Sequence, residues 1–444
     1  MKPEKVFKRY DIRGDYPEEL DEEFAERLGK ALGTFTKRNH GDQVVVGRDN
    51  KETSEGLKGS FIEGLVSVGV NVLDVGVGPT DYVAFTGMES DAVSVQVTSS
   101  HLPLDTNGFK FMYPEGNGFL NPDLYEVQDM FREKDFDLNG SAAAGTDYIG
   151  EGARQAYLAS IKQYFRKHFD TIDRKVVVDT LGGASTGYLP PLLQELGAET
   201  VNIAEEKGEE GPYLDPPNPR PEQLEYLEER VEKEDADIAV ANDMDADRVA
   251  VYFDSGWISG DHLFALLADL LKPEKVVASI DTSKSVEELV EAGGGKTHYI
   301  RVGDPFVIDR AIEVEAELAG EPNGHYCFPG FVPYNSGTLA ALLFAAMDIE
   351  TGLENVPDYY TGRTNIEVAD SDEKDERMER IEQRVRSDYR LMSDLDGVKF
   401  EIGEGNVLVR PSGSSPIIRV IAEARSEEEA ERICEEAEQL VRNP

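Results

Sequence analysis

The segment 97–111, VTSSHLPLDTNGFKF, holds residue types that could transfer a phosphoryl group. Ser100 lies beside His101, after the apolar run DAVSVQV, and Lys110 follows in the same segment. A serine hydroxyl near such groups can act as a nucleophile or as a covalent carrier of phosphate. The Asn107-Gly108 pair is also typical of a β-hairpin turn, so an ordinary hairpin remains an alternative.

A second candidate segment is NDMDADR at 242–248, which lies between two apolar runs. The carboxylates of Asp243, Asp245 and Asp247 alternate along a tight loop and can converge on one hard cation, for which Mg²⁺ is a good match. Without a cation, crowded carboxylates repel one another. The loop lacks the turn glycine and the bidentate glutamate of an EF-hand. A chance repeat in so acidic a chain remains the alternative.

The segment AGEPNGHYCF at 319–328 offers polar side chains on a turn rich in glycine, proline and asparagine. Glu321, Asn323 and His325 are spaced so that the turn can present all three to a polyol. A surface turn with a structurally satisfied histidine is the alternative.

The segment VLVRPSGSSPIIRV at 407–420 combines Arg410, a Ser-Gly-Ser-Ser loop and Arg419. A guanidinium beside several backbone N–H groups can bind phosphate. The alternative is a simple hairpin in which Arg410 pairs with a surface carboxylate. All four segments fall at predicted strand ends, where α/β proteins place their ligands.

Short apolar runs alternate with longer amphipathic stretches, which predicts parallel or mostly parallel sheets flanked by helices. We expect strands at 43–47, 71–76, 175–179, 199–203, 237–242, 249–253, 275–280 and 298–302. We expect helices at 54–68, 184–196, 221–233, 261–271, 337–349 and 426–442. Closely spaced strands and a charged helix make the C-terminal part α+β. Small and polar residues at 138–147 and 355–362 indicate linkers, and a third boundary is expected near the turn 254–256.

The chain has 444 residues, with 45 basic and 88 acidic side chains and a net charge of −43. This charge repels nucleic acids and anionic membranes. Because 40% of the residues are hydrophobic, a disordered acidic chain is excluded. There is no membrane-spanning apolar run and no signal-peptide pattern, and Cys327 and Cys434 form no disulfide or metal motif. We therefore predict a cytoplasmic protein with no nucleic-acid or membrane partner.

Together and in this order, the four segments resemble the α-D-phosphohexomutase family of phosphomannomutase, phosphoglucomutase and phosphoglucosamine mutase. Its active-serine motif is matched at Thr98, Ser100, His101, Pro103, Asn107, Gly108 and Lys110. Its metal motif is matched at Asp243, Asp245, Asp247 and Arg248, and its sugar motif at Gly320, Glu321, Gly324 and His325. Its phosphate motif is matched at Arg410, Pro411, Ser412, Gly413 and Pro416. Smaller matches at 10–14, 44–49, 217–224 and 260–268 extend the resemblance over nearly the entire chain.

The resemblance implies an α/β fold with three consecutive α/β mixed-sheet domains and a smaller α+β C-terminal domain around a central cleft. We expect domains at 1–143 with the active-serine loop, 144–255 with the metal loop, 256–357 with the sugar-recognition loop and 358–444 with the phosphate-binding loop. It implies an isomerase of carbohydrate metabolism, an intramolecular phosphotransferase that interconverts hexose 1-phosphate and hexose 6-phosphate. Mannose and glucose phosphates are the first candidates. The alternatives are a phosphoglucosamine mutase and a non-catalytic sugar-phosphate-binding paralogue.

The same resemblance implies a phosphoserine at Ser100 and one Mg²⁺ per subunit, bound by Ser100, Asp243, Asp245 and Asp247. Hexose 1,6-bisphosphate is the implied activator and intermediate. The implied catalytic residues are Ser100, His101, Lys110, Arg248 and His325. The implied substrate-binding residues are Arg13, Arg301, Glu321, Asn323, His325, Arg410, Ser412, Gly413, Ser414 and Arg419. The expected partner is a small-molecule sugar phosphate, and the expected assembly is a monomer or a homodimer.

The chain departs from the family's motifs at Leu102, Met244, Gly182-Gly183, Asn323 and Ser414-Ser415. These positions leave the serine, the three aspartates and the lysine intact, so they bear on rate and on the choice among hexose phosphates. A Mg²⁺-dependent phosphatase that uses the aspartate loop fits less well, since the chain lacks the distinct aspartyl nucleophile motif of that chemistry.

A net charge of −43 also leads to a prediction about salt. Self-repulsion of this size is tolerable mainly where salt screens it, since the Debye length falls to about 3 Å at molar salt. We therefore predict a protein from a halophilic archaeon whose thermal unfolding midpoint rises as KCl increases from millimolar to molar concentrations. Unfolding curves at fixed pH measure this, and full stability at low salt would contradict it.

Overall fold

The computed structural model describes residues 5–138, 144–207, 211–413 and 415–444. The chain forms two compact units. The first contains residues 1–258, 311–319 and 323–348, and the second contains residues 259–310, 320–322 and 349–444. Among the described residues, no helix is long and apolar enough to cross a membrane.

The first sheet belongs to the first unit and contains six strands. They are β1 (Ile12–Asp15), β2 (Gln43–Arg48), β3 (Asn71–Val77), β4 (Val93–Val97), β5 (Thr106–Met112) and β6 (Thr146–Tyr148). The strand order is β1-β5-β4-β2-β3-β6. Strands β4, β2, β3 and β6 run parallel, whereas β5 is antiparallel to both of its neighbours. The helices of this region are α1 (Glu22–Asn39), α2 (Glu52–Ser67), α3 (Thr80–Glu89) and α4 (Asp123–Glu133).

The second sheet also lies in the first unit and has five strands. Its elements are α5 (Gly150–Phe165), β7 (Lys175–Asp179), α6 (Leu189–Glu195), β8 (Glu199–Asn202), α7 (Ile203–Glu206), α8 (Glu225–Glu234), β9 (Ile238–Asn242), β10 (Val249–Phe253) and β11 (Gly256–Trp257). The strand order is β11-β10-β9-β7-β8. The pairs β7–β8 and β7–β9 are parallel, and the pairs β9–β10 and β10–β11 are antiparallel.

The third region is divided between the two units. Its elements are α9 (Gly260–Leu271), β12 (Lys275–Ser279), α10 (Lys284–Ala292), β13 (Lys296–Ile300), α11 (Asp304–Val314), β14 (Leu318–Gly320), β15 (Tyr326–Phe328), β16 (Val332–Asn335), α12 (Gly337–Ala346) and α13 (Ile349–Asn355). In the second unit β12 and β13 pair in parallel. In the first unit β15 and β16 pair antiparallel.

The C-terminal region is α+β, as the sequence predicts. It contains β17 (Tyr360–Glu367), α14 (Ser371–Asp388), β18 (Leu391–Ser393), β19 (Val398–Ile402), β20 (Gly405–Pro411), β21 (Ile417–Ala424) and α15 (Glu427–Arg442). The strand order β17-β21-β20-β19-β18 makes an antiparallel sheet. A buried cluster that includes Ile381, Phe400 and Ile433 joins this sheet to its two helices.

Each predicted strand corresponds to a strand of the structure, but several other predictions need correction. Helix α6 starts at Leu189 rather than 184, and two prolines occupy its first turn. Helix α8 starts at Glu225, after a 3₁₀ turn at Pro221–Gln223. The helix predicted at 337–349 ends at Ala346, because Met347 is extended, and α13 is separate.

The predicted linkers also differ from the structure. Residues 139–143 of the first linker lie outside the described residues. Its last two residues begin β6, which pairs in parallel with β3 because that neighbour offers a row of backbone hydrogen-bonding groups. The end of the second linker belongs to β17.

Helices α1 and α2 pack closely because each presents a glycine to the other's backbone. A Cβ atom on Gly29 would lie 2.1 Å from the carbonyl oxygen of Phe61, and one on Gly64 would lie 2.1 Å from that of Glu26. Real Cβ atoms essentially never come this close to backbone atoms. The glycines therefore set the distance between the two helices.

We predict that Gly64→Ala destabilises the protein by about 1–3 kcal/mol, because the new methyl group forces the helices apart. The matched control is Gly59→Ala in the same helix, where a Cβ atom would meet open space. That change should stabilise by up to about 1 kcal/mol, since alanine favours helix over glycine. Chemical unfolding at fixed KCl measures both changes. Equal effects of the two substitutions would show that α1 and α2 are not in close contact.

Candidate active site

The serine loop, residues 98–105, connects the antiparallel strands β4 and β5 of the first unit. Ser100 has a φ of 54°, a left-handed conformation that is unusual for a residue other than glycine, and only 1% of it is exposed. Its backbone N–H donates to the Oγ1 atom of Thr98 at 2.8 Å. The hairpin alternative is therefore correct for the backbone, and the loop of that hairpin presents the serine.

The Asn107-Gly108 pair lies within β5 and is not the turn of the hairpin. Gly108 is needed there because a Cβ atom would lie 2.2 Å from the carbonyl oxygen of Ile12 on β1. The Asn107 side-chain amide donates to the hydroxyl oxygens of Thr53, at 2.8 Å, and Ser54, at 3.0 Å. Strand pairing thus overrides the local preference of this pair for a turn.

The metal loop, residues 243–248, connects β9 and β10 in the same unit. Asp243, Asp245 and Asp247 are all buried, and one carboxylate oxygen of each lies within 4.8 Å of the other two. The Ser100 hydroxyl donates to Oδ2 of Asp243 at 2.9 Å. The structure therefore brings together the serine and the three aspartates that the sequence analysis singled out.

Lys110 and Thr80 contact the same side of the triad. The Lys110 ammonium donates to Oδ2 of Asp245 at 2.6 Å and to Oδ2 of Asp247 at 2.5 Å. The Thr80 hydroxyl donates to Oδ2 of Asp245 at 2.8 Å, and its backbone N–H donates to the carbonyl oxygen of Asp245 at 3.0 Å. The other carboxylate oxygen of Asp245, Oδ1, is buried and has no hydrogen-bond partner among the residues that the structure describes.

The pKa values of Asp243 and Asp247 are shifted in opposite directions. Burial, together with the neighbouring charges of Asp247 and Asp245, raises the pKa of Asp243 well above its usual value. Burial would also raise the pKa of Asp247, but Lys110 and His325 hold it well below the usual value. Three buried carboxylates, each with an oxygen within 4.8 Å of the other two, fit a hard divalent cation.

His325 and Arg248 lie beside the triad, and their backbones pair with each other as an isolated antiparallel β-bridge. The Nε2 atom of His325 lies 3.0 Å from Nε of Arg248 and 3.1 Å from Oδ1 of Asp247. These two contacts are alternatives, because one ring nitrogen cannot accept from the arginine and donate to the carboxylate at once. The His325 backbone N–H also donates to the Asn323 side-chain oxygen at 3.2 Å.

His101 lies next to the serine, with its Nδ1 atom 3.2 Å from the Ser100 hydroxyl oxygen. Burial, and then the positive charges of Arg248 and Arg13, lower the pKa of His101 far below its usual value. The ring is therefore neutral near pH 7. Arg13 lies on β1, directly opposite Gly108, and forms an ion pair with Asp11 at 2.7 Å.

The second unit contains other residues that the sequence analysis proposed for substrate binding. Glu321 is buried and accepts from the backbone N–H of Gly303 at 2.8 Å. Arg301 is exposed, and its guanidinium lies 4.4 Å from the ring centre of Phe306. The structure thus places Glu321 in a buried polar setting and Arg301 at the surface.

The phosphate loop, residues 412–416, connects β20 and β21 of the C-terminal sheet. Arg410 and Arg419 are paired in register on these strands, the first buried and the second exposed. The Nε atom of Arg410 lies 2.8 Å from Oδ2 of Asp396, a carboxylate that is itself largely shielded from solvent.

Ser412 is buried, and its hydroxyl oxygen lies 2.9 Å from that of Ser415. Gly413 is exposed, with open space where a Cβ atom would lie. Ser414 lies outside the described residues.

Three polar residues that hold these loops are not predicted from the sequence. Thr80 follows the carboxyl end of the parallel strand β3. Ligand-binding residues are often found at such positions, so this signal could have identified it. Lys51, which directly precedes α2, contacts the serine loop. Lys374 donates to the carbonyl oxygens of Ser412, at 2.8 Å, and Ser415, at 3.3 Å. The two lysines are distant in sequence from the loops they contact, and no local pattern marks them.

The chain matches four family models in consecutive order. They are described as phosphoglucomutase/phosphomannomutase alpha/beta/alpha domain I at residues 4–138, domain II at 155–256, domain III at 259–363 and the C-terminal domain at 364–440. Together these matches extend over most of the sequence.

Relatives and solved structures agree with these matches. The chain is 34% identical to a phosphoglucomutase/phosphomannomutase from Thermococcus kodakarensis, over 97% of each chain. It is 33% identical to a probable phosphoglucosamine mutase from Methanopyrus kandleri, over 99% of this chain and 98% of the relative.

Two solved structures share the fold. A phosphoglucomutase/phosphomannomutase family protein from Burkholderia thailandensis aligns with a TM-score of 0.88 at 24% identity, over 99% of this chain and 98% of that one. N-acetylphosphoglucosamine mutase from Aspergillus fumigatus, in complex with GlcNAc-6P and magnesium, aligns with a TM-score of 0.65 at 14% identity, over 100% and 97%. On the strength of the four domain matches and these relatives, the chain belongs to the phosphoglucomutase/phosphomannomutase family of α-D-phosphohexomutases.

Proposed function

We propose that the protein interconverts hexose 1-phosphate and hexose 6-phosphate through phosphorylated Ser100 and a hexose 1,6-bisphosphate intermediate. Mannose and glucose phosphates are the first candidate substrates. The observation that supports this most directly is the 2.9 Å contact between the Ser100 hydroxyl and Asp243, beside a triad of buried carboxylates. The activity makes the enzyme an isomerase that acts by intramolecular phosphotransfer, as its family membership indicates.

A phosphate on Ser100 would add negative charge next to three buried carboxylates, so the site needs a cation. The oxygens of Asp243, Asp245 and Asp247, together with the serine phosphate, would hold one Mg²⁺ per subunit. When bound, the ion would neutralise charge on the carboxylates and on the transferring group. The buried, unpartnered Oδ1 atom of Asp245 supports this assignment.

Positive and proton-transferring groups of the chain lie around the triad. We assign Lys110 and His325 as candidates for proton transfer with the sugar hydroxyl, since both contact Asp247. Arg248, within reach of Asp243, would stabilise negative charge on the transferring group. His101, held neutral by its surroundings, would orient the Ser100 hydroxyl rather than add charge.

We assign the remaining predicted residues to substrate binding. Glu321 would accept hydrogen bonds from two sugar hydroxyls, because a carboxylate has several acceptor sites. The substrate's other phosphate would be bound by Arg410, Ser412, Gly413 and Ser414. Additional contacts are proposed for Arg13, Arg301, Asn323, His325 and Arg419. Arg410 and Ser412 are both buried at the start of the phosphate loop, which supports their assignment to phosphate binding.

A phosphoglucosamine mutase is the second candidate function. One relative at 33% identity bears that name, and Asn323 replaces the serine that the family motif usually has. A non-catalytic sugar-phosphate binder is less consistent, because Ser100, the triad and Lys110 are present and in contact. We also keep as proposals the domain limits 1–143, 144–255, 256–357 and 358–444, a cytoplasmic location in a halophile, and a monomer or homodimer.

We predict that the protein converts at least one of glucose 1-phosphate, mannose 1-phosphate and glucosamine 1-phosphate to its 6-phosphate in molar KCl with Mg²⁺. Ser100→Ala should lower the rate by more than about 1,000-fold, because it removes the hydroxyl that we propose as the phosphoryl acceptor. The control is Ser67→Ala at the exposed end of α2, which should retain full activity.

A coupled assay with each sugar phosphate in turn identifies the preferred substrate. Activity that survives in Ser100→Ala would overturn the assignment of the nucleophile. If the wild-type protein turns over none of the three, the non-catalytic binder becomes the better explanation.

We predict that Mg²⁺ raises the thermal unfolding midpoint and that Asp245→Asn removes this increase. Binding to the folded state alone stabilises it by about 2.7 kcal/mol at a ligand concentration 100 times Kd. The control is Asp235→Asn, an exposed residue at the end of α8 with a φ of 52° that asparagine tolerates. Its response to Mg²⁺ should match that of wild type. An unchanged Mg²⁺ response in Asp245→Asn would contradict a metal site at the triad.

A further inference from the structure

Lys51 lies at the start of α2, and its side chain contacts the serine loop from inside the protein. Only 2% of the residue is exposed. Its ammonium donates to the carbonyl oxygens of Pro103 and Thr106, each at 3.0 Å, and lies 3.4 Å from that of Leu102. It also donates to the Ser99 hydroxyl oxygen at 2.5 Å. One buried cation thus contacts four oxygen atoms in and just after the loop.

The contact with Ser99 continues to the strand that follows the loop. The Ser99 hydroxyl donates to the carbonyl oxygen of Thr106 at 2.8 Å, so Lys51 and Ser99 bind the same oxygen atom. Ser99 directly precedes Ser100, whose hydroxyl donates to Asp243. The two neighbouring serines therefore have different partners: one contacts the buried lysine and the other contacts the metal loop.

Asp49 supplies the charge that makes a buried ammonium tolerable. It is fully buried, and its Oδ1 atom accepts from the backbone N–H of Lys51 at 3.0 Å and from the Ser54 hydroxyl at 2.6 Å. Its own N–H donates to the carbonyl oxygen of Val97, the last residue of β4. Burial lowers the pKa of Lys51, while the charge of Asp49 opposes that shift. Through Asp49, Lys51 is thus connected to β4, the strand from which the serine loop starts.

We infer that Lys51 is a positioning residue whose ammonium fixes the conformation of the serine loop and thereby holds the Ser100 hydroxyl at Asp243. Ser100 needs such support because its backbone has a φ of 54°, a conformation that persists only where the surrounding contacts enforce it. Lys51 itself contacts no triad carboxylate in the hydrogen bonds and ion pairs found among the described residues. The inference rests on the proposed role of Ser100 in phosphoryl transfer.

We predict that Lys51→Met lowers kcat by about 10- to 100-fold, the effect expected when a reacting group is misplaced by about 1 Å. KM should stay within about twofold of wild type, since no contact to substrate is removed. The matched control is Lys58→Met, which removes a lysine of the following helix, α2, that pairs with Asp74 at 2.7 Å. Its kcat should equal that of wild type. Steady-state assays in molar KCl with Mg²⁺ measure both constants.

Two further variants separate positioning from a general loss of stability. Lys51→Arg keeps a buried donor and should recover part of the lost kcat. Ser99→Ala should lower kcat on its own but have little further effect in the Lys51→Met protein, because both changes break the same connection. If Lys51→Met does not fold, Asp49→Asn/Lys51→Met removes both charges and takes its place.

The possible results have distinct meanings. A kcat within twofold of wild type in folded Lys51→Met, or strictly additive effects of Lys51→Met and Ser99→Ala, would overturn the inference. A raised KM with unchanged kcat would also overturn it. Failure of the proposed function has another signature, namely no turnover by wild type or full activity of Ser100→Ala.

Discussion

Mutual repulsion among three buried aspartates is the constraint around which the first unit is organised. Asp243, Asp245 and Asp247 lie together on one loop, and burial prevents water from screening their charges. Lys110 contacts two of them and the Ser100 hydroxyl contacts the third. Ser100, Lys110 and Thr80 thus direct hydrogen-bond donors, one of them positively charged, at the carboxylates.

The fold meets this constraint by bringing the ends of two sheets together within the first unit. Strands β4 and β5 provide the serine loop and Lys110, and strands β9 and β10 provide the metal loop. Helix α3 starts beside the metal loop, where Thr80 donates twice to Asp245. Each of the two loops starts and ends on paired strands, and the hydrogen bonds from Ser100 and Thr80 to the metal loop connect the two sheets at the site.

The sequence predicted those parts of the site that are encoded in short segments. Ser100 and the triad were found because the residue types and their spacing lie within a few positions of one another. Lys51 and Thr80 were not, because their contacts to the loops join residues far apart in the chain and depend on tertiary structure.

The difference between local sequence signals and tertiary contacts also explains the errors in the predicted secondary structure. Asn107-Gly108 is a local turn signal that pairing between β1 and β5 overrides. Helix α3 was missed because nearly all its residues are buried, so it has no polar face and no amphipathic period. Helix α12 was predicted too long because its apolar composition runs past Ala346, where the backbone becomes extended.

The ion pair between Arg410 and Asp396 bears on the positive charge that this part of the C-terminal sheet can offer. An anion that approaches the guanidinium meets a carboxylate already in place at 2.8 Å, and has to compete with it or share the arginine. A dianion is attracted to the guanidinium about twice as strongly as a monoanion at equal distance, and Asp396 repels it about twice as strongly as well. The pairing therefore makes Arg410 half of a nearly neutral pair, so that the directed N–H groups of its guanidinium, rather than an uncompensated charge, are what it can offer to an anion.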